Sequence, residues 1–523
     1  MVKYLDNKNS GFAQWNANRN AAAKKSTFGG FLWWFVLFVA AWWAITWWFG
    51  PKQKTDVASE QMPVVDLSGV PSTEITSDKL TATVQGLRIS DIRLADFAAT
   101  AGDRDGARVA LLAGENNFAE IGYVGTNASA PTVTSAWKSV GDNTFAWTGS
   151  GVSFRRTITV SDYAISVSDE IKNNTSGEIS FAPYARIVRD NADKSSAGVE
   201  TGAVAYVNSD VEYEDWRRLD KKSFAYSTTN GFIGFADQYW ETVVSIDSPD
   251  QTMRTKHQGG KYDADTAAAA VAIAPGASRT ITTNLYAGPR DQNALNAASG
   301  LITGINETID YGWFWFLARP MLWALNALNS IVHNYGIAII LLTLVLRLFM
   351  WPLTRKSYTS MIAMQKMQPE MARIQKLYAN DKARMQMEMM RLYQTHKTSP
   401  MSGCLPMLLQ IPIFFALYKA LLISVQMRSA HFLWISDLAA MDPYFVMPVL
   451  MGATMWLQSR LQTPAGATNG NDAVAQTQRM MKWLPVLFTV MFAWMPAGLV
   501  LYWTVSNLFG IGQMYIIKYR SEK

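Results

Sequence analysis

The chain of 523 residues contains one cysteine and four histidines, and this scarcity excludes several kinds of chemistry before any motif is read. A single thiol, Cys404, leaves the polar middle of the chain without a disulfide. At the start of a hydrophobic run it reads as a small apolar side chain. The polar middle has one histidine, His257, so a multi-histidine metal site or a paired-histidine acid–base mechanism cannot be built there. No G-x-x-x-x-G-K-[ST] loop occurs, which removes nucleotide-driven work of that type. No aspartate or glutamate lies inside the five hydrophobic spans of the C-terminal part, which weighs against a proton-relay transporter. Acidic clusters such as Glu212, Glu214 and Asp215 read as a solvated loop before a catalytic dyad. The expectation is a chain that is not an enzyme and needs no cofactor.

What is present divides into two regimes. Hydrophobic residues make up 49% of the chain and charged residues 17%, a balance between membrane and water-soluble protein. After a tail (1–30), residues 31–50 form an uncharged run with Trp33, Trp34, Trp42, Trp43, Trp47 and Trp48 towards its ends, as expected of a first transmembrane helix. A cleaved signal peptide is the competing reading, but the run is long and no A-x-A-like site follows. Residues 51–310 alternate in short segments such as FRRTITV, YAISVSDEI and GFIGFADQYW between turn-forming clusters, the pattern of an antiparallel β-sandwich. Residues 311–333, rich in Trp, Phe and Leu, suit a helix in the outer membrane interface. Five more spans are expected at 334–353, 403–425, 443–461, 482–495 and 497–517. The last two must be separate, because one helix from Trp483 to Ile517 would be roughly 52 Å long against a hydrocarbon core of about 30 Å. Splitting at MPAG (Met495 to Gly498) leaves a first helix of roughly 20 Å, which implies local bilayer thinning or shielding by protein.

Lysine and arginine set the orientation. Lys3, Lys8, Arg19, Lys24 and Lys25 precede the first span, and nine basic residues between Arg355 and Lys397 face only Glu370, Asp381 and Glu388. Both segments belong on the cytoplasmic side, with the loop 462–481 and the tail 518–523, so the β domain lies outside. The segment 354–402 reads as a helical hairpin. Met364, Met367, Met371, Ile374 and Tyr378 would form one seam and Met385, Met389, Leu392 and His396 the other, with Pro369 bending the first helix. Met387 and Met390 fall off that seam and are candidates for contact with a partner.

The polar residues inside the spans are few. Arg347 is a charge at membrane depth, where ionisable side chains mark function by default. Thr343 shares its helix face; Tyr502 and Ser506 share a face of the last helix, with Gln410 in the third span and Thr489 in the fifth. On spacing alone two readings stand: these residues line a water-filled concavity, or Arg347, roughly 9 Å from the cytoplasmic end of its helix, snorkels to the interface.

Several strings together resemble one family. YGWFWF at Tyr311, LRLFMWPLT at Leu346, MSGCLPMLLQIPIFFALY at Met401, DPYFVMPVLMG at Asp442 and MPAGLVLYWTVSNL at Met495 are similar to the YidC membrane protein insertase family in its Gram-negative form. The segment before them resembles that form's periplasmic domain, a β-sandwich similar to galactose mutarotase, closing in LYAGPR at Leu285. The resemblance implies a polytopic α-helical membrane protein with six transmembrane helices, five of them an insertase core, and a large periplasmic antiparallel β-sandwich. It places the chain in the bacterial inner membrane with both termini cytoplasmic. It also implies a hydrophilic groove whose positive charge is Arg347, with Thr343, Gln410, Thr489, Tyr502 and Ser506 lining it. The apolar part of a client would slide into lipid along Ile411, Phe414, Phe488 and Met491, and the hairpin, with Met387 and Met390, would recruit substrates. The partners implied are nascent membrane proteins, the Sec translocon, the signal recognition particle pathway, the ribosome and the lipid bilayer, with no direct nucleic-acid contact. Unlike some members, the chain carries only a short tail after Tyr515, so ribosome tethering through that end is not expected. The histidines that mutarotase chemistry needs are absent.

A different class remains in view: a membrane-anchored periplasmic carbohydrate-binding or carbohydrate-processing protein, in which the β domain does the work. Six spans exceed what an anchor needs. Removing most of Asp56 to Gly276 separates the two, since it leaves insertion largely intact and abolishes a carbohydrate activity.

Overall fold

The computed structural model describes residues 65–103, 105–192, 194, 199–396, 405–462 and 473–522. The expected first span, its preceding tail and Cys404 lie outside the described residues. The chain forms two compact units. One comprises residues 1–58 and 465–482, of which 473–482 are described, as helix. The other comprises residues 59–464 and 483–523 and holds everything discussed below apart from the helical residues 473–482.

Its first part is a β-sandwich of a ten-stranded and a nine-stranded sheet, antiparallel at every described pairing. Alternation is the cause. In Val152–Ser161, Val152, Phe154, Arg156 and Ile158 point inward and their neighbours outward, so one face of the strand joins the core. Phe154 anchors that core against Tyr123, Trp137, Trp147 and Phe181 at centroid separations of 5.3–6.5 Å. Arg156 breaks the apolar pattern and is satisfied across the register by Asp169 on Ala164–Asn173. Its Nε and Nη2 donate to the two carboxylate oxygens at 2.8 Å each, with the Tyr123 hydroxyl donating to the same carboxylate at 3.0 Å.

The LYAGPR string ends the strand Ser278–Pro289, and Arg290 explains why it closes the domain. Its buried guanidinium donates to the carbonyls of Glu200, Asp237 and Thr308 at 2.7–3.0 Å and to the Tyr213 hydroxyl at 2.9 Å, tying separate segments together. Glu241 lies beside it, 3.6 Å from Nε, and accepts from the Thr308 hydroxyl at 2.9 Å. Burial pushes the Glu241 carboxyl up to about 7, with Arg290 and Thr308 pulling the other way.

The remainder is helical. Two helices, α1 (Trp216–Leu219) and α2 (Gln292–Ala298), belong to the sandwich. Then follow α3 (Trp315–Val332), α4 (Tyr335–Phe349), α5 (Trp351–Lys366), α6 (Gln368–Leu377), α7 (Lys382–Thr395), α8 (Leu405–Ile423), α9 (Val446–Gln462), α10 (Ala473–Phe492) and α11 (Ala497–Glu522). Helix α3 buries Ala318, Met321 and Leu325 and exposes Trp315, Phe316 and Trp323. Asn334 caps α4 by accepting from the Ile337 amide at 3.1 Å. Between α4 and α5 the axis bends by 66°, where Pro352 has no N–H to continue the ladder. Pro369 sits in the first turn of α6, where proline is tolerated. Among the described residues no single helix is long and apolar enough to cross a membrane; the bent pair α4–α5 passes as a pair, and Leu408–Ile423 and Trp483–Phe492 are shorter apolar stretches.

Candidate functional site: a polar cluster in the helical core

The helical core is unequal along its length. At the end formed by the start of α4, the end of α8 and the starts of α9 and α11, a buried cluster packs Ala338, Ile339, Leu417, Leu421, Leu438, Met447 and Leu499. The loop between α8 and α9 closes that end. The amides of Ala497 and Gly498 donate to the carbonyls of Ala440 and Leu438 at 2.7 and 2.9 Å, and Leu438 in turn donates to Ala430. Asp442 secures the entry to α9, accepting from the Trp434 indole at 3.0 Å and from the Met447 amide at 2.7 Å.

Towards the other end of the same helices the buried residues turn polar. Arg347, on the last turn of α4, is 9% exposed. Its Nε and Nη2 donate to Ser506 Oγ of α11 at 3.0 and 2.5 Å. Among the described residues no carboxylate ion-pairs with it. Gln513, two turns on from Ser506, donates to the Arg347 carbonyl at 3.5 Å, and its own side-chain oxygen is buried without a partner. Gln410 of α8 donates to the Tyr502 hydroxyl. Thr343 donates to the Ile339 carbonyl at 2.7 Å, so its hydroxyl is satisfied within α4.

Of the residues singled out in the sequence, Arg347 and Ser506 are brought into contact, and Gln410 and Tyr502 form a second pair one turn of α11 away. Thr489 goes elsewhere: it is half-buried on α10, donates to the Pro485 carbonyl at 2.8 Å and lies against Gly452 of α9. A Cβ on Gly452 would fall 1.9 Å from the Thr489 hydroxyl, so glycine is what lets the two helices approach. Ile411 and Met491 are each 43% exposed. Phe414 and Phe488 are half-buried and turned onto Phe492 and Trp503, with centroids 5.2–5.9 Å apart. Met387 and Met390 stand 66% and 58% exposed on α7. Sequence reasoning missed Asn507, whose amide donates to the Thr454 hydroxyl of α9 at 3.1 Å. An amide side chain in an uncharged span was the available signal.

The family models and the relatives in sequence agree on one family. Residues 327–523 match the family described as 60Kd inner membrane protein, and residues 72–324 match the YidC periplasmic domain. The membrane protein insertase YidC of Magnetococcus marinus is 36% identical over 432 residues, covering 78% of this chain and 76% of its own length. The chain belongs to the YidC membrane protein insertase family. It is an inner-membrane protein with a periplasmic antiparallel β-sandwich, in a family that is not enzymatic. The YidC of Shewanella amazonensis is 38% identical, with 72% and 70% of the two chains covered. That of Syntrophus aciditrophicus is 42% identical over 64% of this chain and 60% of its own. A crystal structure of an active YidC insertase is 18% identical, covers 86% of this chain and 94% of its own, and superposes with a TM-score of 0.38.

Proposed function

We propose that this chain inserts newly made proteins into the bacterial inner membrane by offering Arg347 to the polar segment that must cross, while the client's apolar span passes into lipid. The observation that carries this reading is the state of Arg347: a permanent charge, nine-tenths enclosed, facing a serine and, among the described residues, no carboxylate. A buried charge left without a counter-ion is unfavourable unless something else is to neutralise it. An acidic or polar client segment does so, and Gln410, Tyr502, Ser506 and Gln513 add hydrogen-bonding capacity around it. Burial of roughly 20 apolar client residues in lipid supplies the driving force without a nucleotide.

In this reading the chain crosses the membrane six times with both termini cytoplasmic. The helix that carries Arg347 is short: at ~1.5 Å per residue α4 is only about 22 Å long, which favours a locally thinned bilayer. Ile411 and Met491, exposed on α8 and α10, are the positions where the client span leaves for lipid; Phe414 and Phe488 stiffen the wall behind them. The exposed Met387 and Met390 on the basic hairpin recruit clients delivered by ribosomes and the signal recognition particle pathway, alone or beside the Sec translocon.

The test is insertion of a short single-span client, scored by protease protection, into liposomes holding only the purified chain. Wild type and Arg347→Lys insert it and Arg347→Ala loses most activity. An Arg347→Ala variant equal to wild type removes the arginine from the mechanism, and a wild type no better than empty liposomes removes unaided insertion.

A further inference from the structure

Where the sandwich gives way to the helical part of the chain there is an open cavity of about 380 Å³. Glu200, Glu307 and Asp310 line it on the sandwich side, and Tyr311, Trp315 and Arg319 line it on the side of α3. Trp315 and Arg319 are four apart on α3, so they stand one above the other on the same face, and both are exposed. Trp313, at 89%, Phe316 and Trp323 are exposed around them. Large aromatic rings left so open suit the headgroup level of a bilayer.

The charges of this cavity do not balance within it. Asp310 is engaged, accepting from Lys419 Nζ at 2.5 Å and from the Gly312 amide at 2.7 Å. Glu200 and Glu307 are exposed, and among the described residues neither has an ion-pair partner. Partial enclosure and then the Asp310 carboxylate raise the Glu200 carboxyl, with Lys419 and Arg290 pulling the other way, which puts it on the Asp310 side of the cavity. Arg319 lies over the Tyr311 ring, 5.1 Å from its centroid, and no carboxylate among the described residues pairs with it. With Asp310 offset by Lys419, two open carboxylates face one open guanidinium. An anion would meet excess negative charge, and a simple cation would leave Arg319 unanswered. A molecule carrying an ammonium and a phosphate close together answers both. An ammonium with N–H donors suits the carboxylates better than a quaternary one, and Arg319 already covers a face of the Tyr311 ring on which a choline group would stack.

We propose that this cavity holds the headgroup of a phosphatidylethanolamine, with its ammonium on Glu200 and Glu307, its phosphate on Arg319 and its acyl chains passing Trp315 into the bilayer. The site rests on the sandwich lying outside the membrane, as in the function proposed above, with α3 at the outer surface. A lipid held there ties the sandwich to the membrane at the point where the chain turns into the helical core.

The full chain in a non-ionic detergent is mixed with equimolar phosphatidylethanolamine, phosphatidylcholine and phosphatidylglycerol of identical acyl chains, and native mass spectrometry counts the lipids retained. One phosphatidylethanolamine should be kept about five-fold over each of the others. Glu200→Gln combined with Glu307→Gln, both at exposed positions, should bring it down to the level of phosphatidylcholine, whereas Arg319→Gln should lower the two alike. Equal retention of all three lipids overturns the proposal, as does an ethanolamine preference that survives the double glutamine variant. Water-soluble O-phosphoethanolamine at the same concentration should not displace the lipid; displacement makes the free headgroup the ligand and overturns the lipid assignment. A nitroxide on Trp323→Cys, in a Cys404→Ser chain in nanodiscs, tests the placement of α3 separately. A label in contact with water alone overturns that placement and the site with it, while lipid contact without any ethanolamine preference overturns the site and leaves the insertion reading intact.

Discussion

Ser506 is where the arginine mechanism is most open to refutation. Its Oγ lies 3.0 Å from Arg347 Nε, so Ser506→Asp places a carboxylate on the guanidinium without removing it. Two unit charges about 4 Å apart attract by about 4 kcal/mol at an effective dielectric constant of 20. A client carboxylate must compete with that built-in partner, and 4 kcal/mol corresponds to close to a thousand-fold in an equilibrium constant. Ser506→Asp should therefore reduce insertion of a client with an acidic translocated segment to the level of Arg347→Ala. A matched client with an uncharged polar segment should lose far less. Ser506→Ala keeps the free charge and forfeits a hydrogen bond worth roughly 1.5–3 kcal/mol to the positioning of the guanidinium. It should insert both clients at reduced but measurable rates. Protease protection of the two clients in proteoliposomes, with the thermal midpoint of each variant as a folding control, decides the matter. Insertion of the acidic client by Ser506→Asp at the wild-type rate refutes the reasoning, and equal loss for both clients shows that the substitution damaged the core instead.

Three further expectations concern other parts of the chain. Asp169→Ala strands the buried Arg156 charge, which should destabilise the sandwich by roughly 3–5 kcal/mol. That lowers its thermal midpoint by about 10 °C, while replacing both partners with apolar residues of similar volume restores most of the loss. Glu241 titrates near 7 in the folded chain and near 4.5 when unfolded, so the folded state holds the extra proton between those values. Stability from this group is full below about 4.5, falls as pH rises towards 7 and is flat above it, a loss of roughly 3 kcal/mol. Unfolding midpoints followed by circular dichroism at pH 5 and pH 8 should differ less in Glu241→Gln than in wild type, and an unchanged difference removes Glu241 as the cause. The double variant Met387→Ser, Met390→Ser should leave liposome insertion of a free client unchanged and weaken co-sedimentation with ribosomes carrying a nascent membrane protein; unchanged co-sedimentation dissociates these methionines from recruitment.

The sandwich was legible because its period is simple. In FRRTITV the apolar side of the strand is readable by eye, but Arg156 falls on that same side, and a single sequence does not reveal that Asp169 meets it across the register. Most of the polar core residues, Asn507 apart, were legible for a related reason: a charge or amide in an uncharged span stands out whatever its partner. Their pairing was not. Arg347 and Ser506 are 159 residues apart, and helical spacing fixes the face each occupies without the depth at which two helices meet. The direction of Phe414 and Phe488 belongs to the same class, since an aromatic residue in a span reads alike towards lipid or towards a neighbouring helix, and only packing with Phe492 and Trp503 decides. The bend between α4 and α5 had a visible cause in Pro352, but hydrophobicity continues through it and a hydropathy reading runs on.

The division of the helical core into a polar half and an apolar half constrains the route of a client under the proposed function. A polar segment that reaches Arg347 finds no aqueous path beyond it, because Ile339, Leu417, Leu421 and Leu499 are buried against one another and the amides of Ala497 and Gly498 bind the closing loop. Crossing that packed layer would strip the segment of hydrogen bonds that the layer cannot replace. Leaving sideways does not, since a client span moving past Ile411 and Met491 enters lipid while its polar end stays beside Arg347, Ser506 and Gln410. The favourable term then grows with each apolar residue buried in lipid, and the polar end has only the remaining thickness of the bilayer to cross. Such a site handles short translocated segments well and long or highly charged ones poorly, because a single buried arginine compensates about one client charge at a time.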